Sequence, residues 1–132
     1  MNEHAEARPL MAAASNIRTN AYSPYSGVMV GVAILGSDGR VFLGANIENE
    51  SYGLSLCAER IAAANAVLAG CREWSMIAIA MKGSQPAPPC GACLQVLAEF
   101  ASRDLVVIWG ENEETWYTSC LGELLPRPFK RK

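Results

Sequence analysis

Val41-Phe42-Leu43-Gly44-Ala45, Cys57-Ala58-Glu59-Arg60, Met76-Ile77-Ala78-Ile79-Ala80-Met81 and Pro89-Cys90-Gly91-Ala92-Cys93 follow one another through the middle of the chain. The first and third are short apolar runs of strand type. The second and fourth each open a helical stretch, residues 57–69 (stopped by Gly70) and residues 91–102. A further apolar run at 105–109 completes a strand–helix–strand–helix–strand order. That alternation predicts a sheet covered by helices on both faces, with right-handed crossovers and parallel pairing of the later strands. It also sets Cys57, Cys90 and Cys93 at helix starts.

Working outward, residues 9–20 predict a first helix, with Leu10, Ala13, Ala14, Ile17 and Ala21 on one stripe. Tyr22-Ser23-Pro24-Tyr25-Ser26-Gly27 breaks it into a loop. The apolar run 28–35 and the strand 41–45 flank Ser37-Asp38-Gly39-Arg40, the signature of a hairpin. Residues 46–55 are polar and irregular. Residues 83–89 hold Pro86, Pro88 and Pro89 and predict a loop. Residues 115–118 predict a short fifth strand, and residues 121–125 a last helical turn before Pro126. The expected class is α/β, a three-layer α-β-α sandwich around a five-stranded mixed sheet, in one domain over residues 1–132.

The chain is 132 residues long and 51% apolar, ample for one core. Its net charge is −2, from 11 basic and 13 acidic residues. No basic stripe is present to track phosphates, so duplex nucleic acid is not an expected partner. The basic tail Arg127-Pro128-Phe129-Lys130-Arg131-Lys132 reads as solvated. The N-terminus lacks the charged and apolar regions of a signal peptide, and no apolar run is long enough for a bilayer. A cytoplasmic protein with no membrane contact is the expectation.

Five cysteines without a signal peptide argue against a disulfide framework. Helix N-termini favour thiolate over thiol. Two such termini aimed at one point assemble three thiolates, enough to hold Zn²⁺ with its fourth position open, as catalytic zinc requires. Arg60, three residues after Cys57, is expected to donate hydrogen bonds to the thiolates. Glu59 lies about 200° around a regular helix from Cys57. Both face one metal only if Cys57 is the cap residue, and Glu59 is then placed to move protons. A structural Cys₄ knot is the competing reading. It needs a fourth ligand, and Cys71 lies about 20 Å along the helix from Cys57.

Together, C-A-E at 57–59 and P-C-G-A-C at 89–93 resemble the zinc deaminase signature H-x-E … P-C-x-x-C, with Cys as first ligand. The chain is similar to the small homotetrameric cytidine deaminases. Ser23-Pro24-Tyr25-Ser26, Gly31, Asn46-Ile47-Glu48-Asn49, Tyr52, Gln95-Val96-Leu97 and Glu123-Leu124-Leu125-Pro126 stand in that family's order. The resemblance implies the same fold, zinc on Cys57, Cys90 and Cys93, and a nucleoside substrate. It implies that Asn46 and Glu48 hold the ribose hydroxyls and that Ala58 and Glu59 read the pyrimidine. It further implies a homotetramer with shared active sites, in which Tyr52 and Phe129 reach a neighbouring subunit's pocket. The implied reaction is hydrolytic attack on C4 of cytosine, with Glu59 protonating N3 and then helping ammonia leave.

Four departures stand out. Val28 replaces an aromatic that normally packs on the base, Leu94 replaces an Arg, Ala45 replaces a common Cys, and Glu50-Ser51 precedes Tyr52 where smaller residues are usual. Val28 predicts either weaker cytidine binding or room for a base substituted on N4 or C5. Two rival functions are a deaminase of a cytosine-containing antibiotic and a non-catalytic zinc or nucleoside-binding module. The segment 46–49 favours a ribose-bearing substrate over the former, and Glu59 argues against the latter.

Overall fold

The computed structural model describes residues 2–131; Met1 and the last basic-tail residue, Lys132, lie outside them. Helix α1 is Asn2–Ile17. The strands are β1 (Met29–Gly36), β2 (Val41–Ala45), β3 (Trp74–Lys82), β4 (Val106–Asn112) and β5 (Thr115–Cys120). Helices α2 (Ala58–Leu68), α3 (Gly91–Phe100) and α4 (Leu121–Leu124) complete the chain. The five strands form one sheet in the order β2-β1-β3-β4-β5.

Strand β1 is antiparallel to both β2 and β3, β3 and β4 are parallel, and β4 and β5 are antiparallel. The expected parallel pairing therefore holds for β3 and β4 alone. The hairpin brings β2 back beside β1, so β3 pairs on the other side of β1. The short connection from β4 to β5 permits only an antiparallel return.

Side-chain alternation divides the core between the two faces. Ala33, Met76, Ala78, Ala80 and Ile108 pack under α1 against Ala7, Leu10, Met11 and Ala14. Val32, Ile34, Ile77, Ile79 and Val107 face α2 and α3, among Ala62, Ala66, Leu94 and Leu97. Three layers result, as expected.

The first helix begins before Pro9 rather than at it. Proline removes one backbone hydrogen bond, at a cost of about 3 kcal/mol. Ala7, Leu10, Met11 and Ala14 nonetheless continue the i, i+3, i+4, i+7 stripe across it, and all four are buried. The last two strands outrun their apolar cores because the β4–β5 ladder extends through polar residues such as Asn112, Thr115 and Ser119.

Two glycines set how closely helices approach the sheet. A Cβ on Gly31 would lie 2.0 Å from Ala14 O of α1, and one on Gly44 would lie 2.5 Å from Ala58 O and 2.6 Å from Ala62 N of α2. The second contact seats the start of α2, where Cys57 and Glu59 sit. Gly44→Ala is expected to lower stability by about 1–3 kcal/mol, measured by denaturant unfolding. Gly53→Ala, where no atom beyond the two chain neighbours lies within 4 Å of the added carbon, serves as the control. Equal stability of the two variants would show that α2 is free to shift.

Candidate active site

Cys57 caps α2 and Cys90 caps α3, both in extended backbone (φ −72°, ψ 145° and φ −67°, ψ 168°). Neither side chain makes a capping hydrogen bond, so both sulfurs are left for another partner. Cys93 lies one turn into α3 and is buried. The three Sγ atoms all lie within 4.8 Å of one another. This is the group of potential metal ligands found among the described residues.

Three sulfurs this close repel one another when all are ionised. The Cys57 thiol is held down to about 6, first by a hydrogen bond from Cys93 and then by the charge of Arg60. Cys93, the donor in that bond, is pushed up by it and by burial. A divalent cation resolves the conflict, because it is attracted by every sulfur. Tetrahedral zinc with bonds of ~2.3 Å places its sulfurs about 3.8 Å apart, and the cluster is compatible with that spacing. The donor set fits zinc.

Cys71 is outside the cluster, at the far end of α2, with its sulfur 3.9 Å from Asp38 Oδ1 and 3.7 Å from Glu73 O. Cys120 caps the short α4. Neither supplies a fourth ligand for a Cys₄ knot.

Because Cys57 precedes the first helical residue, Glu59 lines the same cavity as the three sulfurs. It is 8% exposed. Burial, and next the Cys57 charge, raise its carboxyl to about 7. Such a group takes and gives a proton near neutral pH. Arg60 donates a long hydrogen bond to Ser55 O (3.4 Å), and its buried Nε has no partner. Arg60 lowers the Cys57 thiol first through its charge and then through hydrogen bonding.

The cavity holds about 420 Å³ and extends from the sulfurs past Ala58, Val28, Asn46 and Glu48. Asn46 ties its own amide to β1, accepting from Val30 N (2.8 Å) and donating to Val28 O (2.9 Å). Glu48 accepts from Tyr25 N, Ser26 N and Ser26 Oγ, and the Ser26 bond is the main reason its carboxyl is held below the usual range. The segment 46–55 is thus well ordered. Ile47 exchanges backbone bonds with Leu56, and Tyr22 with Asn46 and Glu48.

Tyr52 is 75% exposed and lies beside Tyr25, ring centroids 6.1 Å apart, at the rim of a neighbouring recess that shares Ser26, Glu48 and Ser55. Phe129 does not line the cavity of its own chain. It lies on the outer side of α3. Leu94, one of the family departures, is buried in the core beneath α2 and α3.

The sequence reading missed Val30, Met81, Ala87 and Pro88 as cavity walls. Apolar residues in a strand or a proline loop carry no chemical mark. Ser26 had a signal in its Ser-Pro-Tyr-Ser context, but its partner Glu48 lies 22 residues away.

Residues 4–109 match the family model described as the cytidine and deoxycytidylate deaminase zinc-binding region. The chain belongs to the cytidine deaminase family. A cytidine deaminase of Halalkalibacterium halodurans is 45% identical over 120 residues, 91% of each chain. One from Sporosarcina psychrophila is 39% identical over 127 residues, covering 93% of this chain and 90% of its own. The crystal structure of the Burkholderia pseudomallei cytidine deaminase superposes with a TM-score of 0.85 at 41% identity, covering 92% of this chain and 97% of that one. That of Mycobacterium tuberculosis gives 0.80 at 37%, covering 92% and 95%. Zinc is therefore implied by the family as well as by the sulfurs.

Purified protein is expected to carry one zinc per chain. Cys57→Ala, Cys90→Ala and Cys93→Ala should each lower that content severalfold by elemental analysis, while Cys71→Ala keeps it. Zinc retained in all three cluster variants would remove the site.

Proposed function

We propose that this protein is a zinc-dependent hydrolase that deaminates cytosine nucleosides to their uracil counterparts, with Cys57, Cys90 and Cys93 as metal ligands and Glu59 as proton carrier. The observation that carries the reading is Glu59 itself, a buried carboxyl facing the same cavity as three converging sulfurs. A binding module has no use for such a group, whose burial costs free energy.

When bound, zinc supplies Lewis-acid polarisation and makes a water molecule nucleophilic near neutral pH. Glu59 takes a proton from the attacking water and delivers it to ring N3 as oxygen bonds to C4. It then takes the remaining proton from the new C4 hydroxyl and passes it to the exocyclic nitrogen. The C4–N bond breaks, ammonia leaves, and C4 keeps its oxygen as the uracil carbonyl. The α2 and α3 termini direct their N–H groups toward the site and support its negative charge. The charge of Arg60 adds to that support.

Ala58 and Glu59 read the base. Asn46 and Glu48 meet the sugar, held in place by their bonds to β1 and to the 25–26 turn. The working form is a homotetramer with shared sites. The mouth of the cavity supports this, since Tyr25, Ile47, Tyr52, Leu54 and Leu56 are exposed around it, and clustered exposed apolar side chains mark association surfaces. Tyr52 and Phe129 of one subunit then complete a neighbour's pocket. A mass of about four chains of 14.2 kDa by light scattering is the expected result.

Among the described residues, none that the subunit itself lends to the cavity is aromatic, and Val28, Val30, Met81, Ala87 and Pro88 form aliphatic walls where the family usually packs a ring on the base. This favours a pocket that also accepts a base enlarged on N4 or C5. Hydrolysis of N4-methylcytidine releases methylamine in place of ammonia.

Glu59→Gln should lower kcat on cytidine by roughly 10²–10⁴-fold while zinc content stays at the wild-type level. Retained activity would remove Glu59 from the reaction. Val28→Phe should lower kcat/KM on N4-methylcytidine severalfold more than on cytidine. An equal change on both would show that Val28 does not set the size of the base pocket.

A further inference from the structure

The segment after α4 has no regular structure, yet its backbone is fixed at two points by side chains of the body. Arg103 Nη1 donates to Pro126 O at 3.0 Å. Gln95, on α3, holds Phe129 on both sides: its Nε2 donates to Phe129 O at 3.1 Å, and its Oε1 accepts from Phe129 N at 3.0 Å. A primary amide is a side-chain group with a donor and an acceptor side by side, so it can pair with a backbone residue as a strand neighbour would.

The ring of Phe129 is treated differently from its backbone. It is 71% exposed, among the most exposed large apolar side chains of the described chain. Gln95 and Phe129 share a recess with Ala98, Glu99, Pro128 and Lys130 that has no residue in common with the cavity of the same chain. A fixed backbone carrying an exposed ring is prepared for docking, because the ordering entropy is lost on folding rather than on association.

We propose that Gln95 is a positioning residue that acts through Phe129, holding the ring at the angle at which it enters the active-site cavity of a second copy of this chain. This rests on the shared-site reading above. Helix α3 also carries Cys93, so one rigid element fixes both a subunit's own metal ligands and the ring it lends to its neighbour. The contribution is to ground-state binding of the nucleoside, since the ring bears no proton or charge for the chemical step.

The test measures kcat and KM for cytidine in the zinc-loaded wild type, Gln95→Ala, Phe129→Ala and the double variant. Alanine is the best helix former, so α3 tolerates the first change. Gln95→Ala is expected to raise KM roughly three- to tenfold, the loss of two exposed hydrogen bonds, with kcat within about twofold and with zinc content and assembly mass unchanged. In the Phe129→Ala background the same change should add nothing further, because the two residues act as one unit. Additive effects, or a joint loss of kcat and zinc, would overturn the proposal. If Phe129→Ala raises KM and Gln95→Ala does not, the clamp fails and shared sites stand. If Phe129→Ala itself keeps the wild-type KM, the shared-site reading fails and takes the proposal with it.

Discussion

Everything distinctive about this chain depends on two helices starting at the same point in space. Cysteine caps both, and the sulfur of a third cysteine one turn further on joins them within 4.8 Å. Helix N-termini stabilise negative charge, but two of them cannot neutralise three thiolates. The depressed Cys57 and the elevated Cys93 express that shortfall within the protein alone. A cation held there joins the folding of the α2 and α3 ends to the chemistry of the cavity. The same convergence brings Glu59 into a buried position where its carboxyl titrates near neutrality.

The sheet makes this convergence possible by being thin-walled. Ala33, Ala78 and Ala80 face α1, and Ala58, Ala62 and Ala66 line α2. Gly31 and Gly44 remove the side chain where backbone meets backbone. Small residues let a chain of this length complete three layers and still leave a cavity at one end of the sheet. The walls of that cavity are then irregular segments tied by side-chain bonds, with Asn46 holding β1 and Glu48 holding the 25–26 turn.

The convergence of Cys57, Cys90 and Cys93 was legible in the sequence because ligand chemistry restricts residue type and spacing together. The cap position of Cys57 was legible for a stronger reason: Glu59 could face the same metal in no other geometry. The alternation of strands and helices gave the layers. The start of α1 was not legible, because Pro9 is a strong local stop signal that the buried stripe from Ala7 to Ala14 overrides. The full extent of β5 was hidden because an edge strand that is largely exposed has little apolar pattern. The place of β3 on the far side of β1 is a tertiary outcome that no local pattern encodes. Asn46 and Glu48 drew attention as substrate contacts, while their bonds to backbone 16 to 23 residues away were invisible.

The central claim is that zinc is held by three sulfurs, with its fourth position available to water. X-ray absorption at the zinc edge of the loaded protein tests it most directly. The account predicts three sulfur scatterers at about 2.3 Å and one oxygen scatterer at about 2.0 Å. A shell of four sulfurs with no light scatterer would mean a closed structural site and would contradict it.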